Sequence, residues 1–362
     1  MRRKTLDERA ATAKIDRENM LQVLEETPGI YERAYTAAMG SDTLPDAPAR
    51  SAPGLALVGM GGSAISADIL KDWLFESQIP IEIVRGPQLP GSITAQTCVL
   101  VVSYSGQTTE TLRALREASK RKSTIACIAS GGELITTSRN SGLPHVQVRS
   151  GLQPREALPD LFAASAAVLV KWGICNHESV LAELRAVGEQ LDELGKKIGF
   201  PCVLARNPAK QLAVQLHDTI PFIYAAQLLG AAGRRFKNQL NENSKVLAKF
   251  EVLPEMLHNE VQSWQMLKER SYADSVSFVL LRGCESKDET EKFDRLASMI
   301  RAAGSKKVQV VSMESPTRLA NILGTIYFCD YVSFYLAILR GVDPTPIATI
   351  QTLKRSARNS GS

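Results

Sequence analysis

Residues 98–122 read CVLVVSYSGQTTETLRALREASKRK. Cys98 to Val102 is an unbroken apolar run, short and rich in β-branched valine, which predicts a strand buried on both faces. Ser103 to Thr108 is small and polar, and TTETLRALREASKRK then reads as a helix. Upstream, residues 55–63 repeat the design: LALVGM ends in Gly61-Gly62-Ser63, followed by the helical stretch AISADILKDWLFES. IEIVRG (81–86), STIACIASGG (123–132) and HVQVRS (145–150) supply further strands. Strands alternating with helices predict a parallel sheet with helices on both faces.

Outward from this core, residues 1–40 read as amphipathic helix with a break at Pro28-Gly29, and LPDAPARSAPG (44–54) as a polar loop. Residues 157–194 read as a helical connector packed between domains. A second alternation then begins: strand TIPFIYAA (219–226), helix GAAGRRFKNQLNENSK (230–245), a helix opened by Pro254 (EMLHNEVQSWQML), strand SVSFVLLRG, helix KDETEKFDRLASMIRAAG, strand KKVQVVSM, and the long apolar helix TRLANILGTIYFCDYVSFYLAILRG. The tail VDPTPIATIQTLKRSARNSGS leaves that helix and ends polar. The predicted fold class is α/β: two doubly wound parallel-sheet domains with helical N-terminal and connecting segments. Expected boundaries are 1–45, 46–155, 156–195, 196–345 and 346–362.

The 362 residues comfortably accommodate two α/β cores. A net charge of +5 suits a phosphorylated small substrate but lacks the clustering of a nucleic-acid surface. The short basic groups Met1–Lys4, Arg116–Lys122 and Arg234–Lys237 read as solvated faces. Six cysteines occur singly, with no CxxC pair to imply zinc or redox chemistry, and Cys98 and Cys127 lie in apolar runs. The start of the chain is polar, and the apolar stretches look too interrupted to span a membrane. No cofactor, metal, nucleic acid or membrane is expected, and the compartment is expected to be cytoplasmic.

In an open parallel sheet, ligands collect beyond the carboxyl ends of the strands. Gly61, Gly62 and Ser63 mark one such end, and Ser103, Ser105 and Thr108 another. Glycines let the backbone approach a ligand, and free N–H groups at a helix start favour an anion. The plainer readings are a tight turn and a helix start closed by a capping box. A dinucleotide fold is disfavoured, because GMGGSA departs from GxGxxG and IEIVRG ends in Arg85 and glycine without the usual acid.

The pair of motifs is more specific than either. SYSGQTTET after an apolar strand, with GMGGSA one unit earlier, resembles the sugar isomerase domain superfamily and, within it, the bifunctional phosphoglucose/phosphomannose isomerase family. The resemblance runs over nearly the whole chain, and Gln107 replaces the family's commoner Asn. It implies that the two loops hold the 6-phosphate of a hexose. It further implies that Glu242, in NENSK, shuttles a proton between C1 and C2, and that His258, in PEMLHNEV, opens the sugar ring. Arg155, in GLQPREALP, is then the cation beside the enediolate, and Lys354, in IQTLK, lies near the ring. Asn241, Asn243 and Ser244 are expected to surround and orient Glu242, and Glu255 and Glu260 to face solvent. The family is dimeric, so a homodimer with shared sites is implied, His258 reaching into the partner's site.

Three other readings stay open. One is an isomerase without mannose activity. Another is a non-catalytic sugar-phosphate-binding regulator, although the first forty residues are too short for the usual DNA-binding domain. Amide-transferring glucosamine-phosphate synthesis would need a glutaminase domain with a nucleophilic cysteine, for which there is no counterpart here.

Overall fold

Leu55–Gly59 (β1) and Cys98–Val102 (β3) are buried at every position, as strands covered on both faces must be. Their alternate side chains divide between two cores. Leu55, Leu57, Leu100 and Val102 face one side, and Ala56, Val58, Val99 and Val101 the other. The computed structural model describes residues 2–44, 54–283 and 286–359, without the side chains of Arg2, Arg270, Ser271 and 354–359. The polar loop at 45–53 and Cys284 lie outside the described residues.

The N-terminal segment is not one broken helix but four short ones: α1 (Arg2–Thr5), α2 (Arg9–Ala13), α3 (Met20–Glu26) and α4 (Ile30–Met39). The expected break falls where Thr27–Gly29 forms a 3₁₀ turn. The first sheet then assembles from β1, α5 (Ile65–Trp73), β2 (Ile81–Val84), β3, α6 (Thr109–Lys120), β4 (Thr124–Ala129), α7 (Gly132–Asn140) and β5 (His145–Gln147). Its order is β2-β1-β3-β4-β5, all parallel. Helix α8 (Leu158–Lys171) covers one face with α5, and α6 and α7 cover the other.

Helices α9 (His177–Ile198) and α10 (Pro208–Leu216) lead to the second sheet. It comprises β6 (Ile220–Ala225), α11 (Gly230–Glu242), β7 (Lys249–Val252), α12 (Arg270–Ser275), β8 (Val276–Arg282), α13 (Lys287–Ala302) and β9 (Val308–Ser312). The order β7-β6-β8-β9, again parallel, repeats that of the first sheet without its fifth strand. The expected doubly wound class is therefore observed twice. One expectation is corrected. Residues 255–268 form two 3₁₀ segments, Glu255–His258 and Glu260–Lys268, rather than one α-helix. The tail leaves the long helix as expected and carries a helix of its own, α15 (Ala348–Asn359).

Helix α14 (Arg318–Arg340) is buried from Leu319 to Leu339 and packs against α9, α10 and α11. By length and composition it could cross a bilayer, contrary to the reading of the apolar stretches as too short, yet its apolar window is wholly buried inside the fold. Its composition follows from that position, because a helix enclosed by other elements on all sides is apolar all round. The inner faces of both sheets, α8 and α14 share one continuous core.

Candidate active site

Two loops at the carboxyl ends of neighbouring strands begin the site. β1 and β3 pair up to Gly59 and Val102, so the segments that follow lie side by side. Gly61–Ala64 is a single 3₁₀ turn leading into α5. A Cβ at Gly62 would sit 2.9 Å from the Arg155 nitrogen and 3.0 Å from the Pro154 carbonyl carbon, so only glycine lets this turn close on the 154–155 backbone. Ser63 Oγ accepts a hydrogen bond from the Tyr104 N–H at 3.0 Å, which ties the first loop to the second.

In the second loop Ser103 Oγ donates to Thr108 Oγ1 at 3.1 Å, and Ser105, which is exposed, accepts from the Gln107 N–H. Gly106 has φ 64°, and a Cβ there would lie 1.9 Å from the Gly131 carbonyl oxygen. The loop is thus packed directly against the turn after β4. Thr108 is the N-cap of α6, but its side chain makes no capping hydrogen bond. The capping box of the plainer reading is therefore not formed, and among the described residues no side chain accepts from the first N–H groups of α6, the condition an anion exploits. All six loop residues singled out from the sequence, Gly61, Gly62, Ser63, Ser103, Ser105 and Thr108, belong to this paired edge.

Arg155 lies in the turn between β5 and α8 and is only 2% exposed. Its Nε donates to Asn243 Oδ1 at 2.7 Å, and its Nη2 to the carbonyls of Pro344 (3.0 Å) and Thr345 (2.8 Å). Nη1 donates to Glu242 Oε2 at 3.4 Å. A guanidinium carries five N–H groups, so one on Nη1 remains for a ligand. Burial pulls the pKa of Arg155 down, and the Glu242 carboxylate opposes that pull. The structure therefore places Arg155, from the end of the first domain, against Glu242, the last residue of α11 in the second, with Gly62 on the arginine's own backbone.

Several sequence expectations are revised here. Asn241, Asn243 and Ser244 do not bind the Glu242 carboxylate. Asn241 donates to the Val246 carbonyl and so holds the turn after α11, while Asn243 donates to Ser333 Oγ and Ser244 to the Ser333 carbonyl, which pins the end of α11 to α14. Arg235, read as part of a solvated basic face, is 4% exposed and paired with Asp330. Its Nη2 reaches Asp330 Oδ2 at 2.7 Å and also donates to the Arg155 carbonyl at 2.8 Å. Asp330, the one acidic residue in α14, is the signal for this pair that the sequence holds. Glu260 does not face solvent but is 8% exposed, accepting from Tyr224 Oη and Lys249 Nζ, each at 2.7 Å.

His258 is exposed on the 3₁₀ turn after β7, and no hydrogen bond to its ring is present among the described residues. Lys354 lies on α15, and its side chain is outside the described residues. Among the described residues, no group of three His, Cys, Asp or Glu is arranged to hold a metal ion.

Known proteins match this architecture. The family profile described as bacterial phospho-glucose isomerase C-terminal SIS domain matches residues 205–356, and the SIS domain profile matches residues 50–140. A bifunctional phosphoglucose/phosphomannose isomerase from Caldicellulosiruptor bescii is 30% identical over 338 residues, 92% of this chain and 98% of that one. Its counterpart from Aquifex aeolicus is 30% identical over 344 residues, 94% and 99% of the two chains. In fold, the C-terminal domain of glucosamine-fructose-6-phosphate aminotransferase from Francisella tularensis superposes with a TM-score of 0.68 at 14% identity, covering 91% of this chain and 97% of that one.

Proposed function

This chain belongs to the bifunctional phosphoglucose/phosphomannose isomerase family, and from that premise we propose that it interconverts fructose 6-phosphate with glucose 6-phosphate and mannose 6-phosphate by a metal-independent cis-enediol route. The observation that carries the reading is the Arg155–Glu242 contact at 3.4 Å, built on a backbone that Gly62 of the first anion loop touches. A carboxylate, a cation with one unspent donor and two polar loops are what proton transfer on a phosphorylated sugar requires. The loops take the 6-phosphate. The Glu242 carboxylate removes the C2 proton of the open-chain aldose and returns it to C1, while a proton passes from O2 to O1. The free N–H of Arg155 stabilises the negative oxygen of the enediolate between those steps. Lys354 is assigned a place near the ring. Purified protein given fructose 6-phosphate in EDTA is expected to form both glucose 6-phosphate and mannose 6-phosphate, measured separately. Activity lost in EDTA and restored by a divalent ion would defeat the metal-independent route.

The reading extends to a cytoplasmic homodimer acting on hexose 6-phosphates, without nucleic acid or membrane partners. The five described cysteines are free, which supports a reducing compartment. The exposed ring of His258, which makes no hydrogen bond among the described residues, supports its use by a second subunit as the ring opener. Glu242→Gln and His258→Ala variants, each inactive alone, should therefore complement after subunit exchange. Half of the randomly mixed dimers would be hybrids with one intact site each, so recovery should approach about a quarter of wild-type activity. No recovery after confirmed exchange would place each site within one chain.

A further inference from the structure

Lys245 has no part in the mechanism above, yet it is bound more completely than most surface lysines. Its backbone is in the left-handed region at φ 55°, which a lysine disfavours and which persists where surrounding contacts hold it. Its Nζ donates to the carbonyls of Glu242 (2.6 Å), Asp343 (2.9 Å) and Pro344 (3.1 Å). An ammonium has three donors, and here all three meet backbone oxygens. The Pro344 carbonyl also accepts from Arg155 Nη2, and Asp343 Oδ1 accepts from the Thr345 N–H. The contacts close a ring: the Glu242 backbone to Lys245, Lys245 to residues 343–344, those residues to Arg155, and Arg155 back to the Glu242 carboxylate. The 341–347 segment also leads into α15, which packs closely against no other described element.

On the isomerase reading above, we propose that Lys245 is a positioning residue, whose ammonium bridges the Glu242 carbonyl to the segment gripped by Arg155 and so fixes the base against the arginine. The residue itself is exposed, but its donors face carbonyls rather than water. That desolvation, with Arg155 nearby, pushes the Lys245 pKa down to about 8, while Asp343 and Glu242 oppose the shift. The charged groups facing the ammonium are thus Arg155 from the turn before α8, Asp343 from the 341–347 segment, and Glu242 from α11. Above that pH the amine is neutral and the bridge weakens, so activity should fall on the alkaline side.

The test compares wild type, Lys245→Met and Lys245→Arg on fructose 6-phosphate from pH 6.5 to 9.5. Lys245→Met should lower kcat at pH 7 by about tenfold with KM changed by less than about threefold, because the phosphate loops are untouched. Lys245→Arg, which stays charged, should keep kcat within about threefold and move the alkaline limb up by about one pH unit or more. Hydrogen exchange across residues 341–353 should quicken in Lys245→Met at unchanged melting temperature. Active wild type with normal kcat in Lys245→Met, or an alkaline limb that Lys245→Arg does not move, overturns this inference alone. Wild type inactive on fructose 6-phosphate defeats the isomerase reading, and this inference with it.

Discussion

Glu242→Gln should lower kcat for isomerisation of fructose 6-phosphate by ~10²–10⁴-fold, the usual contribution of a positioned general base. The amide keeps the shape of the side chain and can still accept a hydrogen bond from Arg155 Nη1, so the helix end and the arginine should stay in place. What it cannot do is take a proton from carbon. KM should change little, because the loops at Gly61–Ser63 and Ser103–Thr108 belong to the other domain and do not touch Glu242 through any described hydrogen bond. A fall in kcat/KM that came entirely from KM would assign Glu242 to binding rather than to chemistry. Steady-state kinetics in both directions, with the melting temperature recorded beside them, separates these outcomes.

Asp330→Ala should cost about 3–5 kcal/mol of stability, the loss typical when one partner of a buried ion pair is removed. Arg235 Nε donates to both Asp330 carboxylate oxygens, at 3.0 and 3.1 Å, and Gln239 Nε2 donates to Oδ1 at 3.0 Å. Arg235 and Asp330 are 4% and 6% exposed, so water cannot readily replace the lost carboxylate. The variant therefore leaves a cation and an amide unpaired at the contact between α11 and α14. Activity should fall as well, because Arg235 holds the Arg155 carbonyl. Replacing both partners with apolar residues of similar volume should cost much less than Asp330→Ala, since no buried charge is then left over. Urea unfolding monitored by circular dichroism measures both. A double variant as unstable as Asp330→Ala would show that packing, not the orphaned charge, sets the cost.

Elements carried by local pattern were legible in the sequence. β1, β3, β4, β6 and β8 are short apolar runs because both of their faces are covered, and the loops after β1 and β3 stand out by their glycines and hydroxyls. Elements whose shape depends on neighbours were not. β7 (Lys249–Val252) is an edge strand of alternating character, with no position fully buried. Residues 255–268 have the composition of an α-helix but fold as 3₁₀ turns, so tertiary packing overrides propensity there. Helix α10 starts at an Asn207-Pro208 signal that is short and easily lost in a polar stretch, the asparagine side chain accepting from the Lys210 N–H.

The site divides in the same way. Arg155 and Glu242 could be singled out by resemblance, but that each grips the other, with residues 343–345 between them, depends on segments far apart in sequence. Arg235 was misread because basic residues in a charged stretch usually face solvent, and its partner lies on another helix. Asp330, in the middle of an apolar helix, was the one local clue. His258 is exposed and makes no hydrogen bond to the cluster among the described residues.

The most direct measurement follows the hydrogen at C2 of glucose 6-phosphate by NMR in heavy water with EDTA present, for wild type and Glu242→Gln. Proton transfer through an enediol on a solvent-exchangeable carboxylate should place deuterium at C2 in the wild-type reaction, and Glu242→Gln should slow that exchange by ~10²-fold or more. Glu242→Gln exchanging C2 at a near wild-type rate would contradict Glu242 as the base.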